Sequence, residues 1–129
     1  MKNKKVLIVS ARYYEELSNS LELYATSSLA KIKYKIIKVP GIFEIPVVIS
    51  KNIKKFDGFI ALGVVIKGET PHFEFISQAT TNAIMQLSID HKKPIGNGII
   101  TSLNTKQALV RSKKKGLEAA RAAISVLSQ

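Results

Sequence analysis

Apolar and polar positions follow two rhythms along this chain, and the rhythms trade places four times. Residues 5–10 carry a short apolar run, Val6 to Val9, entered from lysines, which reads as the first strand. Leu17, Leu21, Tyr24, Ala25 and Leu29 then recur at helical spacing. Residues 34–39 set Lys35 and Lys38 around Ile36 and Ile37, the pattern of a strand at a sheet edge, and Pro40-Gly41 ends it. The longest apolar stretch, Phe59 to Leu62 and Val64 to Ile66, predicts a third strand, one buried on both sides. Residues 95–101 predict the fourth.

Helical patterns fill the intervals. Residues 44–55 predict a second helix, with Pro46 tolerated in its first turn, although Val47, Val48 and Ile49 are β-branched and favour a strand by propensity. The Pro-Gly turn before it and the Lys51, Lys54 and Lys55 face after it decide for helix. A third helix over residues 72–90 would bury Ile76, Ala79, Ala83, Ile84 and Leu87. A fourth, capped by Asn104 and running to about Leu127, would bury Leu109, Leu117, Ala120, Ile124 and Leu127. This alternation predicts one α/β domain over residues 1–129: a three-layer sandwich with a four-stranded parallel sheet between helices. Right-handed crossovers then bring residues 12–14, 41–44, 67–72 and 101–104 to one rim, where small molecules bind in such sheets.

Chemistry concentrates at the third of those turns. The strand breaks at Lys67-Gly68-Glu69-Thr70-Pro71 and a helix follows. Gly68 lets the backbone approach a ligand, Thr70 suits an N-cap and Pro71 suits the first helical position. Free N–H groups at that end favour an anion, and His72 beside them is of the type that moves protons near neutral pH. The bland alternative for His72 is a structural helix-start histidine. Glu44 is either a first-turn acid favoured by the helix dipole or an acceptor for ligand hydroxyls, and Phe43 is either core or a pocket wall. Tyr13 and Tyr14 would stack on a planar ring or simply cover their loop. Glu69 and Thr70 would hold a phosphate through backbone N–H groups. Arg111, beside Lys113 to Lys115, is either part of a solvated face or a bidentate phosphate clamp, one that reaches another subunit's rim more easily than its own.

Composition narrows the classes. The 129 residues are 46% apolar with no cysteine, so no disulfide or thiolate chemistry arises. The apolar run near the N-terminus is too short for a signal peptide and none is long enough for a membrane span, so the expected location is the cytoplasm. Net charge is +11, but Arg12, Arg111 and Arg121 are the only arginines among 20 basic residues and the lysines are scattered. That pattern argues for a solvated surface and against nucleic-acid binding, while still drawing in an anionic substrate.

Two long motifs carry a resemblance. Leu62 to Phe75 (LGVVIKGETPHFEF) and Val39 to Pro46 (VPGIFEIP), with Ala11 to Tyr14 (ARYY) and the arginine of the last helix, resemble the signatures of the lumazine synthase family across essentially the whole chain. The resemblance implies a flavodoxin-like fold. It also implies condensation of 5-amino-6-(D-ribitylamino)uracil with 3,4-dihydroxy-2-butanone 4-phosphate to 6,7-dimethyl-8-ribityllumazine, without metal or organic cofactor. It places proton transfer on His72 and ring stacking on Tyr13. Pyrimidine and ribityl contacts fall on Ile42, Phe43 and Glu44, and backbone contacts on Val64, Val65 and Ile66. Phosphate binding falls on Glu69, Thr70, Lys115 and a neighbouring subunit's Arg111. Asn97 stands where the family often has a phenylalanine lid from the next subunit. A short segment between Arg111 and Gly116, and the lack of an N-terminal strand arm, favour a pentamer or two stacked pentamers over a sixty-subunit shell. The competing readings are an archaeal-type riboflavin synthase, acting on lumazine, and a non-catalytic binder: a flavin or lumazine carrier, or a basic nucleic-acid module.

Overall fold

The apolar run at the centre of the chain folds as β3 (Gly58–Ile66), and all nine of its residues are buried. The computed structural model of the protein describes residues 3–69 and 72–129. β3 lies between β1 (Lys5–Ala11) and β4 (Ile95–Ser102), and β2 (Lys33–Val39) flanks β1, giving the all-parallel order β2-β1-β3-β4. Alternate side chains of β1 and β3 enter different cores. Val6, Ile8, Ile60, Leu62 and Val64 face α1 (Glu15–Ser27) and α4 (Thr105–Leu127), while Leu7, Val9, Phe59, Ala61 and Val65 face α2 (Ile45–Lys51) and α3 (Phe73–His91). Period-two alternation into two apolar layers is why these strands read as unbroken apolar runs. The predicted three-layer parallel architecture, with β2 at the edge, is the observed one.

Three local expectations change. The second helix does not span residues 44–55: a 3-10 turn covers Ile42–Glu44, α2 ends at Lys51, and Asn52 closes it by donating from Nδ2 to the Val48 carbonyl at 2.8 Å. Three β-branched residues in succession stiffen this segment without favouring a longer helix. α3 starts at Phe73 rather than His72, and His72 sits before it in the left-handed region (φ 60, ψ 35). Thr70 and Pro71, expected as N-cap and first helical residue, lie outside the described residues.

The buried stripe of α4 is also rotated by about one residue. Leu109 is 46% exposed, Leu117, Ile124 and Leu127 are half-buried, and the inner face is Ala108, Ser112, Gly116, Ala119, Ala120 and Ala123. Small side chains let α4 lie close to both α1 and the sheet. Ser112 and Ser20 share a hydrogen bond at 2.6 Å across the helix seam. A Cβ on Gly96 of β4 would come 2.0 Å from the Ala119 carbonyl oxygen. The Asn104 cap is as expected, its side chain accepting from the Gln107 N–H at 2.9 Å, a bond of a kind that contributes about 1 kcal/mol.

Candidate active site

Chain direction diverges between β1 and β3, since the segment after β1 leads to β2 on one side and that after β3 leads to β4 on the other. The crevice at the carboxyl ends of two such strands is where open α/β sheets bind ligands. Here it has a built-in shelf. The β1–β3 ladder stops at Ser10 and Leu62, whereas β3 stays paired with β4 through Ile66 and Ser102. Backbone N–H and C=O groups of residues 63–66 that face the β1 side therefore lie beyond any ladder, and buried groups of that kind call for a partner. Val64, Val65 and Ile66 bury their side chains, so only main chain is left for a ligand, and alternation turns only every second residue's main chain towards β1.

Two turns wall the crevice. After β1, Tyr13 is 65% exposed, with its ring edge-on to Tyr14 at 4.8 Å between centroids. After β2, the turn is anchored by Ile42, which is buried and lies over Ala11 and Gly63: a Cβ on Gly63 would meet the Ile42 side chain at 2.5 Å and Ala11 at 3.1 Å. That anchor throws the next side chain outward, and Phe43 is 60% exposed. The core alternative for Phe43 is thus excluded. Ile42 can meet a ligand only through its backbone. Glu44 curls back, Oε1 accepting from the Gly41 N–H at 2.9 Å, and Oε2 makes no hydrogen bond among the described residues. One carboxylate oxygen shapes the turn and the other is available.

Beyond β3 the chain makes a tight turn. The Glu69 N–H donates to the Ile66 carbonyl at 3.3 Å, and Gly68 at the third position has φ 86, the conformation a type II turn requires of glycine. Glu69 is exposed, but its N–H is turned inward onto Ile66. His72 is exposed, and its carbonyl accepts from the Ile76 N–H at 2.8 Å, opening α3. Positive φ is uncommon outside glycine, but histidine enters it more readily than most residues, and Ala30 and Lys92 adopt it elsewhere in the fold.

A second cluster lies on the open margin of β4. Arg111 is exposed, Nη1 donating to the Thr101 carbonyl at 2.9 Å, and with Lys114, Lys115 and Thr101 it borders a concavity of about 440 Å³. Lys113 points the other way, 5.6 Å above the Tyr24 ring, and Lys114 pairs with Glu118 at 3.8 Å. Lys115 is the lysine on the Arg111 face without an ion pair among the described residues. Asn97 is exposed in mid-strand, Oδ1 accepting from the Ile99 N–H at 3.0 Å. It pairs in register with Ala61, five residues before the end of β3, roughly 16 Å from the rim at the usual rise per residue. Below it, Met85, Ile89, Pro94, Ile95 and Val126 line a largely apolar groove of about 500 Å³.

Comparison with known proteins decides what this arrangement belongs to. The family described as 6,7-dimethyl-8-ribityllumazine synthase matches residues 3–129. The chain belongs to that family. Among relatives bearing that name, the Bartonella henselae protein is 44% identical over 137 residues, covering 98% of this chain and 88% of its own. That of Bartonella bacilliformis is 43% identical over 136 residues (98% and 90%), and that of Agrobacterium fabrum 40% over 140 (98% and 95%). Lumazine synthases are transferases of riboflavin biosynthesis, and membership places this chain among them.

For a lumazine synthase, the expected residues thus fall into two groups. Tyr13, Ile42, Phe43, Glu44, residues 64–66, Glu69 and His72 share one rim. Asn97, Arg111 and Lys115 lie along the β4 side, with Arg111 held at its carboxyl end through the Thr101 carbonyl. One feature escaped the reading of the sequence: the Arg12 guanidinium is paired with Glu22 of α1 at 2.6 Å. Its only sequence trace is an acid next to Leu21 on the inward side of a helix.

Proposed function

We propose that this chain condenses 5-amino-6-(D-ribitylamino)uracil with 3,4-dihydroxy-2-butanone 4-phosphate, releasing inorganic phosphate and 6,7-dimethyl-8-ribityllumazine, in the cytoplasm. The observation that carries the reading is the shelf left where β3 outruns β1. It offers main-chain donors and acceptors to the pyrimidinedione, between an exposed Tyr13 that stacks on the ring and a Glu44 whose Oε2 accepts from the ribityl hydroxyls. The substrate amine attacks the ketone and expels water to form an imine, phosphate is eliminated from the neighbouring carbon, and the ribityl-bearing amine then condenses with the carbonyl so unmasked, closing the ring with loss of a second water. His72 moves the protons. No side chain has to act as nucleophile, so holding both substrates together supplies much of the rate, on the order of 7–11 kcal/mol in favourable cases. Glu69 and Thr70 cradle the phosphate; Glu69 must first release its N–H from Ile66.

Arg111 and Lys115 complete the phosphate site of a neighbouring protomer, and Asn97 reaches that neighbour's pyrimidine. Their position on β4 and α4, across β3 from the turns that wall the crevice, supports this. The apolar groove beside them supports self-association, because solvent-facing Met85, Ile89 and Val126 form the kind of patch that marks an interface. Light scattering on the purified protein is expected to give about five times the 14.2 kDa protomer, or twice that for stacked rings; a monomer at assay concentration would remove Arg111 from the site.

Phosphate release on mixing the two substrates tests the reaction itself: a binder releases none, and a riboflavin synthase acts on lumazine instead. Arg111→Ala is expected to raise KM for the phosphorylated substrate by about 10- to 100-fold, the worth of a charge-assisted contact, with the pyrimidine KM little changed. Unaltered kinetics with the phosphorylated substrate would remove the clamp assignment.

A further inference from the structure

The crossover from β1 to α1 is tied down on both sides of Tyr13. The Ser18 hydroxyl, itself buried, donates to the Ala11 carbonyl at 2.5 Å and lies 3.0 Å from the Tyr14 carbonyl, which also accepts from the Ser18 N–H at 2.9 Å. The Arg12 N–H donates to the Val39 carbonyl at 2.8 Å, fastening the crossover to the end of β2. The Arg12 side chain turns onto α1, where Nη1 donates to Glu22 Oε2 at 2.6 Å and Nη2 to Asn19 Oδ1 at 2.7 Å. Ser10 Oγ donates to the same Glu22 oxygen at 2.6 Å, so strand, loop and helix share one acceptor. The paired side chains are only 17% and 14% exposed. Tyr13, between these ties, is the exposed member.

An arginine at the mouth of a phosphate-using site would ordinarily be read as an anion ligand. This one is neutralised by Glu22 and forked across two residues of α1, an arrangement a lysine cannot reproduce. We propose that Arg12 and Glu22 are positioning residues for the pyrimidine. Their pair holds the crossover in one conformation, so that Tyr13 stands ordered over the crevice before the ring arrives. Binding then need not order the loop, and preorganisation of this kind appears as affinity. The inference rests on the reading of Tyr13 as the ring-stacking residue.

Truncating either partner leaves a charge poorly compensated and endangers folding, so the test uses conservative changes. Arg12→Lys is expected to raise the pyrimidine KM about tenfold, with kcat and the KM for the phosphorylated substrate within about twofold, since only placement of the ring is disturbed. Calorimetric titration of the pyrimidine alone should weaken in parallel. In a Tyr13→Ala background Arg12→Lys should add nothing further, because the residue it positions is gone. Glu22→Gln, close in shape, carries the same measurements if Arg12→Lys does not fold. An effect of Arg12→Lys that persists in the Tyr13→Ala background, or one spread equally over kcat and both KM values, shows a general structural role and overturns the proposal. If Tyr13→Ala alone leaves the pyrimidine KM unchanged, the stacking reading falls and the proposal with it. If Tyr13→Ala raises that KM and Arg12→Lys does not, only the positioning role falls.

Discussion

Replacing His72 with asparagine should lower kcat by about 10²- to 10⁴-fold while leaving substrate affinity within a few-fold, the loss expected when a positioned proton carrier is removed. Asparagine is the informative substitution because of the backbone. His72 lies at φ 60 and ψ 35, a region that asparagine enters more readily than most residues. The variant keeps the turn before α3 and removes only the imidazole. His72→Ala loses the imidazole as well but fits that conformation less readily, so it should be equally slow and slightly less stable. Since His72 is exposed, neither change opens a cavity. Steady-state phosphate release gives kcat, and calorimetric titration gives affinity. If His72→Asn kept the native kcat while His72→Ala lost it, the residue would be acting through its backbone conformation, and the proton-transfer role would be wrong.

Gly96→Ala should cost about 3 kcal/mol of stability and lower the thermal midpoint on the order of 10 °C. The added methyl would sit 2.0 Å from the Ala119 oxygen and 2.8 Å from its carbonyl carbon, both backbone atoms of α4. No rotamer change relieves that contact; α4 must move away from the sheet and take Arg111 with it. A rise in KM for the phosphorylated substrate is therefore expected alongside the loss of stability. Gly58→Ala is the control, since its methyl meets the tip of the Leu127 side chain at 3.0 Å and the Pro94 ring at 3.4 Å, contacts that can yield. Equal midpoints for the two variants would mean that α4 does not ride on β4 as closely as described.

How far the sequence reveals this structure depends on which kind of contact it had to reveal. β3 is legible because a strand between two helical layers must be apolar at every position. The rim follows from the order of elements, and motif residues on it, from Tyr13 to His72, land together. α4 is misphased because its inner face is chosen for smallness: a reading keyed to large apolar side chains selects Leu109, while Ala108 is the buried neighbour. Phe43 is ambiguous until Ile42 is seen seated on Gly63, which fixes the direction of the turn. The Arg12–Glu22 pair depends on how α1 docks, ten residues along the chain, and no periodicity encodes that.

The sheet has two free margins, and they are unlike. β2 presents Lys33, Lys35 and Lys38 to solvent, whereas β4 offers a groove walled by methionine, isoleucine and valine. A stray extended segment approaching β2 meets a fence of ammonium groups, which discourages cross-β templating. Growth by adding sheet to sheet is therefore discouraged on one flank, and the other carries the groove proposed above as the surface for self-association.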